Sequence, residues 1–185
     1  MLATAATQPD RLVVGVDANA AGMATASRRA AAKPSRGGFP NALFVMAAAE
    51  ALPAALDGVA DLVTVHFPWG SLLRGLLGAD PATMTGLTRV LRPGATLQLL
   101  VSSTARDRGA GVPPIRAATL RALAESYAAW GLAVTELRPT TVVDVADAHS
   151  TWAKRLGAGT RRPAWLLQAQ HAPAGCRRTP VGSSR

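Results

Sequence analysis

An α/β fold with a mostly parallel sheet is predicted by three observations. Short apolar runs alternate along the chain with Ala-rich, helix-favouring stretches. The 185 residues are 49% apolar and 17% charged, enough for one domain with a sizeable core. No internal repeat interrupts the alternation, and no run of 18 apolar residues suggests a membrane span.

Leu2 to Thr7 reads as the last turns of a helix, ended by Pro9. Leu12 to Val16 is a β-branched apolar run, hence a strand, and it ends in Asp17. Ala20 to Ala32 is predicted helical from its Ala content. Lys33-Pro34-Ser35-Arg36-Gly37-Gly38 is a loop, since Pro and paired Gly break regular structure. Ala42 to Ala47 is the next strand, followed by Ala48-Ala49-Glu50. Asp61 to His66 is a third strand, and Phe67-Pro68-Trp69-Gly70 closes it because Pro68 has no N–H for the ladder. Ser71 to Leu77 and Pro81 to Leu91 read as helices, the second closed by an Arg92-Pro93-Gly94 turn. Ala95 to Ser102 is a strand, and Ala105 to Pro114 is loose. Ala117 to Trp130 is a helix ended by Gly131, and Leu132 to Leu137 is a strand. Val142 to Leu156 is predicted helical at least in its second half, and Ala164 to Gln170 is the last strand. Residues 1–171 form a single domain on this reading, and 172–185 a disordered basic tail.

The loop after the third strand organises the rest. A Trp at the carboxyl end of a strand stands where open α/β sheets bind ligands, and it can stack on a flat ring. A core or lid role for Trp69 is the competing reading. Asp17, at the tip of a strand, suits a ribose clamp or the N-cap of the following helix, and both stay open. Lys33 and Arg36 suit phosphate contacts or an ordinary exposed loop. Glu50 can face a base or solvent.

Net charge is +9, and from His149 onward seven Arg or Lys residues occur without an acid. A basic end on a folded domain points to an acidic polymer, most simply nucleic acid. Arg outnumbers Lys 18 to 2, a mark of a GC-rich gene more than of function. One Cys and three scattered His give neither an internal disulfide nor a metal site. The N-terminus lacks the pattern of a signal peptide, so a cytoplasmic protein is expected.

The arginine–proline–glycine turn before a strand and the helix–strand–helix–strand ending resemble a Rossmann-like class I methyltransferase. Six motifs then occur in order: LVVGVDA from Leu12, KPSRGG from Lys33, AAAEALP ending at Pro53, FPWGSLLRG from Phe67, RPGA from Arg92 and STWAKRL from Ser150. Over residues 9–171 the chain is similar to the Kam-type aminoglycoside-resistance 16S rRNA methyltransferases, which modify N1 of the decoding-site adenine 1408. The pair FPWGSLL and STWAKRL is the specific part of the likeness.

The resemblance implies S-adenosyl-L-methionine as cofactor, 16S rRNA within the 30S subunit as partner, and a monomer. It implies that Asp17 holds the cofactor ribose, that Ala49 and Glu50 border its adenine, and that His66 and Ser71 border the methyl-transfer site. Trp69 and Trp152 would sandwich the flipped adenine. Lys33, Arg36, Lys154, Arg155, Arg161 and Arg162 would grip rRNA phosphates, with Arg106 or Arg108 as weaker candidates. The chemistry is consistent: adenine N1 lies on the pairing edge, so the base must leave its stack. N1 already carries a lone pair, so the work is positioning rather than proton abstraction.

One departure stands out. The acid followed by G-x-G-x-G that opens such methyltransferases does not occur in the sequence. The first strand found here matches the family's second. The missing strand is expected to leave a gap in the sheet, with unpaired backbone on both sides. A start site placed roughly 30 residues too far downstream, about one strand–loop–helix unit, is the expected cause, with a decayed gene or a shorter fold that closes the gap as the alternatives. Two other readings compete: a remnant that binds rRNA without methylating it, and a methyltransferase for another RNA or a small molecule.

Overall fold

The computed structural model describes residues 1–103, 107, 109, 112–149 and 162–172. The chain divides into two compact units, 1–53 and 54–185.

In the first unit, helix α1 (Leu2–Thr7) precedes strand β1 (Val13–Asp17), helix α2 (Ala20–Ala30) and strand β2 (Ala42–Met46). β1 and β2 pair in parallel, Val13 opposite Ala42 and Asp17 opposite Met46. The core is small: Ala5, Ala30 and Ala42, with Met1, Leu2, Val13, Phe39 and Phe44 packed around them. The Asn41 amide compensates by donating to the carbonyls of Ala5, Gln8 and Arg11, at 3.0–3.1 Å, which ties α1 and the chain after it to the base of β2.

The second unit contains strand β3 (Ala60–His66), helices α3 (Gly70–Leu77) and α4 (Pro81–Val90), strand β4 (Leu91–Val101), helix α5 (Ala117–Ala128), strand β5 (Leu132–Pro139), helix α6 (Val142–Asp147) and strand β6 (Trp165–His171). Its sheet runs β3-β4-β6-β5, and β6 is antiparallel to both neighbours. β3, β4 and β5 therefore share one direction, which puts their carboxyl ends and the start of β6 on one rim. The four-stranded sheet of this unit is thus mixed, whereas β1 and β2 form a two-stranded parallel sheet in the first unit.

Local chemistry accounts for the helices. Asp80 caps α4 by accepting from the Thr83 N–H at 3.0 Å, and Pro81 fills the first helical position. Thr141 and Asp144 form a reciprocal capping box at the start of α6. The core of this unit is Leu73 and Leu76 from α3, Met84 and Leu87 from α4, Leu97 and Leu99 from β4, Leu120 and Tyr127 from α5, and Leu166 and Leu167 from β6. Each such Leu contributes about 1.5–3 kcal/mol on burial.

One sequence expectation changes. Arg92-Pro93-Gly94 is not a turn between helix and strand but part of β4. Leu91 pairs with Ala60 and Thr96 with Leu62, so the segment bulges out of the ladder, which suits a Pro without an N–H and a Gly at φ 79°. Arg92 reaches across the bulge to an ion pair with Asp61. The helix predicted over Val142 to Leu156 is described as far as Asp147, with a turn through His149. Its second half, and the 173–185 part of the tail, lie outside the described residues.

The Tyr127 hydroxyl is fully buried and donates to the Leu76 carbonyl at 3.0 Å, joining α5 to α3. Burial pushes the phenol well above its ordinary pKa, so it stays a donor. Tyr127→Phe should cost about 1 kcal/mol of stability in urea unfolding; an unchanged midpoint would show that this bond contributes nothing.

Candidate functional site

Trp69 stands 71% exposed on the rim of the second unit. It is not a core residue. The residues before it explain its exposure. Phe67 is buried to 2% and has φ 52°, a left-handed conformation that costs a bulky residue about 1–3 kcal/mol. Its N–H donates to the Leu100 carbonyl at 2.7 Å, and its ring packs with Leu100, Ala148, Ala164 and Leu166. The chain therefore turns sharply at Phe67, Pro68 is buried, and Trp69 is thrown outward as the residue that opens α3. Ser71 lies exposed in the first turn of α3, one residue past Gly70 at φ 62°.

His66 ends β3 on the same rim. It is half-buried and its ring hydrogen-bonds to the backbone of Ala148, at the end of α6. Burial pulls the imidazole below its ordinary value, and the bond to Ala148 only partly opposes this. The sign follows: the unfolded chain binds this proton more readily than the folded one. Stability is therefore full above the unfolded value of about 6.5 and falls as pH drops below it. The urea midpoint should decrease between pH 7.5 and 5.5, and His66→Gln should flatten that slope; an equal slope in the variant would remove His66 as its source.

Nearby, Ser102 Oγ donates to the Pro163 carbonyl at 2.9 Å and joins the end of β4 to the start of β6. A cavity of about 370 Å³ opens beside this bond, lined by Ser103, Pro114, Ile115, Arg116 and Pro163. Arg162 is exposed just before β6. Trp69, His66, Ser71 and Arg162 thus share one unit, and all lie toward the rim of its sheet. Ser150, Trp152, Lys154, Arg155 and Arg161, like Arg106 and Arg108, lie outside the described residues.

The first unit holds the other group. Asp17 ends β1, exposed, and its Oδ1 accepts from the Asn19 N–H at 2.8 Å. Asn19, not Asp17, caps α2, by accepting from the Ala21 N–H at 3.1 Å. The capping alternative for Asp17 is thereby corrected: two acceptors stand in tandem, and the residue nearer the helix takes the cap. Ala49 and Glu50 form a 3₁₀ turn just beyond β2. The Ala47 N–H donates to the Asp17 carbonyl at 3.2 Å, so the two strand tips are joined. A carboxylate beside a small-residue turn fits a nucleoside, ribose hydroxyls on the acid and a flat base against Ala49. Lys33 and Arg36 are exposed on the loop between α2 and β2.

A family model described as NpmA, 16S rRNA (adenine(1408)-N(1))-methyltransferase, matches residues 1–171. The chain belongs to this family. A 16S rRNA (adenine(1408)-N(1))-methyltransferase of Streptoalloteichus hindustanus is 38% identical over 159 residues, 83% of this chain and 73% of that protein. One from Escherichia coli is 28% identical over 158 residues, 80% of this chain and 71% of that protein. Among solved structures, a tryptophan-to-alanine mutant of the enzyme from Catenulisporales acidiphilia, with cosubstrate SAM, superposes with a TM-score of 0.84 at 35% identity. It covers 97% of this chain and 82% of that one. The aminoglycoside resistance methyltransferase NpmB1 gives 0.78 at 33% identity, covering 92% and 81%. The fold is that of class I methyltransferases, and the cofactor of the family is S-adenosyl-L-methionine.

The sequence reading did not single out Arg138 and Asp144. Arg138 Nε donates to Glu136 at 2.7 Å, and its Nη atoms bond both oxygens of Asp144, one at 3.0 Å. Asp144 also accepts from the Thr141 N–H and hydroxyl. Arg138 and these donors hold the Asp144 carboxyl far below the usual carboxylate range. The available signal was Thr141-x-x-Asp144, a capping-box spacing. Among the described residues no group of His, Cys, Asp and Glu could hold a metal ion.

Proposed function

We propose that this chain methylates N1 of adenine 1408 of 16S rRNA in the assembled 30S subunit, as a cytoplasmic monomer, and so confers aminoglycoside resistance. The observation that carries this reading is Trp69, exposed on the strand-end rim of a chain from this family. Bound S-adenosyl-L-methionine would supply an electrophilic methyl group. Asp17 holds its ribose, and Ala49 and Glu50 border its adenine. On the rRNA side, Trp69 and Trp152 stack on the two faces of the extruded base. Stacking of about 1–3 kcal/mol per base offsets the few kcal/mol of unstacking. His66 and Ser71 border the reacting nitrogen. His66 stays neutral at pH 7 and so brings no competing charge to the base. Lys33, Arg36, Lys154, Arg155, Arg161 and Arg162 bind phosphates and fix the register.

Incubation of the chain with S-adenosylmethionine and 30S subunits, followed by primer extension, tests this. N1 methylation blocks base pairing, so a new stop at adenine 1408 is expected. The basic end, seven Arg or Lys residues from His149 onward without an acid, also suits a second reading, an rRNA-binding protein without transfer activity. Retention on 30S subunits with no stop would select it.

A further inference from the structure

Trp69 is largely exposed, so its direction is set by the residues behind it. The left-handed Phe67 is the critical one. It persists because packing over-determines it, and Ala148 and Val145 at α6 supply part of that packing. α6 has six residues, too few to be helical unaided. Its Asp144 is bonded to Arg138 on β5 and the Ala148 that follows it to His66 at the end of β3, so the segment reaches from one strand end toward the other. It is fastened at both ends. His66 bonds the Ala148 backbone, and Asp144 is gripped by Arg138. The capping box is local to α6 and would survive loss of Arg138. The link from α6 to β5 would not. Glu136, two residues before Arg138 on the same face of β5, fixes the guanidinium from behind.

We propose that Arg138 is a positioning residue for Trp69, acting through Asp144, α6 and Phe67. The inference rests on the reading that Trp69 stacks on the rRNA base. The linkage runs entirely through described residues of one unit, and Arg138 and Asp144 are not among the residues assigned to the base or the cofactor.

The test has two parts. In hydrogen–deuterium exchange, Arg138→Gln should raise exchange of the peptide 66–72 about tenfold while β4 and β6 keep their protection. Arg138→Lys, which keeps one charged bond to Asp144, should raise it less. Binding to purified 30S subunits should weaken about tenfold in Arg138→Gln, and this loss should not add to that of Trp69→Ala in the double variant. Unchanged exchange at 66–72, or additive losses, would overturn the proposal. So would loss of protection spread evenly over β4 and β6, since that marks a merely structural ion pair. Full 30S binding by Trp69→Ala would instead sink the stacking reading, and the proposal with it.

Discussion

Trp69→Ala should lower methyl transfer to 30S subunits by about tenfold to a hundredfold, the loss expected for one base–aromatic stack, and leave thermal stability unchanged. The two halves have separate causes. The indole is 71% exposed and makes no capping bond at the start of α3, so its removal uncovers almost no core. Surface changes of that kind stay within about 0.5 kcal/mol. The stack, by contrast, forms only when the base is extruded. Its loss should therefore show in the single-turnover rate and in the yield of the primer-extension stop. Trp69→Phe should recover part of the rate, because a smaller ring still offers a face. A variant with full activity would mean that the exposed ring serves something other than the target base.

Gly38→Ala should unfold the basic loop of the first unit at a cost of about 3 kcal/mol, the upper part of the range for forced overpacking. A Cβ on Gly38 would stand 1.7 Å from the Ala32 carbonyl oxygen and 2.5 Å from its carbon, both backbone atoms that cannot rotate away. Relief requires the loop to lift. That breaks the Gly38 N–H to Lys33 bond at 3.1 Å and the Phe39 N–H to Ala30 bond at 2.9 Å. Lys33 and Arg36 then lose their fixed placement, and the salt dependence of 30S binding should fall by about one unit per lost phosphate contact. Gly37→Ala is the control. Gly37 has φ 80° but open space around its Cβ, so it should cost only about 1–2 kcal/mol of backbone strain. Equal midpoints for the two variants would refute the steric argument.

The alternation of apolar runs located all six strands of the described residues, because buried strands need continuous apolar residues whichever way they run. For the same reason the sequence could not orient β6: WLLQAQ packs equally well parallel or antiparallel. The Trp69 loop was legible because Pro68 must end a ladder. The backbone sign at Phe67 was not, since nothing in a Phe announces φ above zero. Asp17 illustrates the limit of single-residue reading. Asp17 and Asn19 offer the same acceptor two positions apart, and only geometry shows which one caps α2. Arg138 and Asp144 belong to different elements, so no local pattern joins them. The bulge at Arg92-Pro93-Gly94 looked like a turn because the same residues serve both.

The insertion of β6 between β4 and β5 fixes an order of events during synthesis. Chains emerge amino end first at about 5–20 residues per second. While residues up to Pro139 are being made, β4 and β5 cannot pair with each other and must wait for a partner that follows both. For that interval Leu97, Leu99 and Leu100 lie on a strand with one open edge, a surface that invites chaperones or aggregation. A strand made after both β4 and β5 is the one that joins them, so the rim bearing Trp69 takes its final form only after β6 has docked.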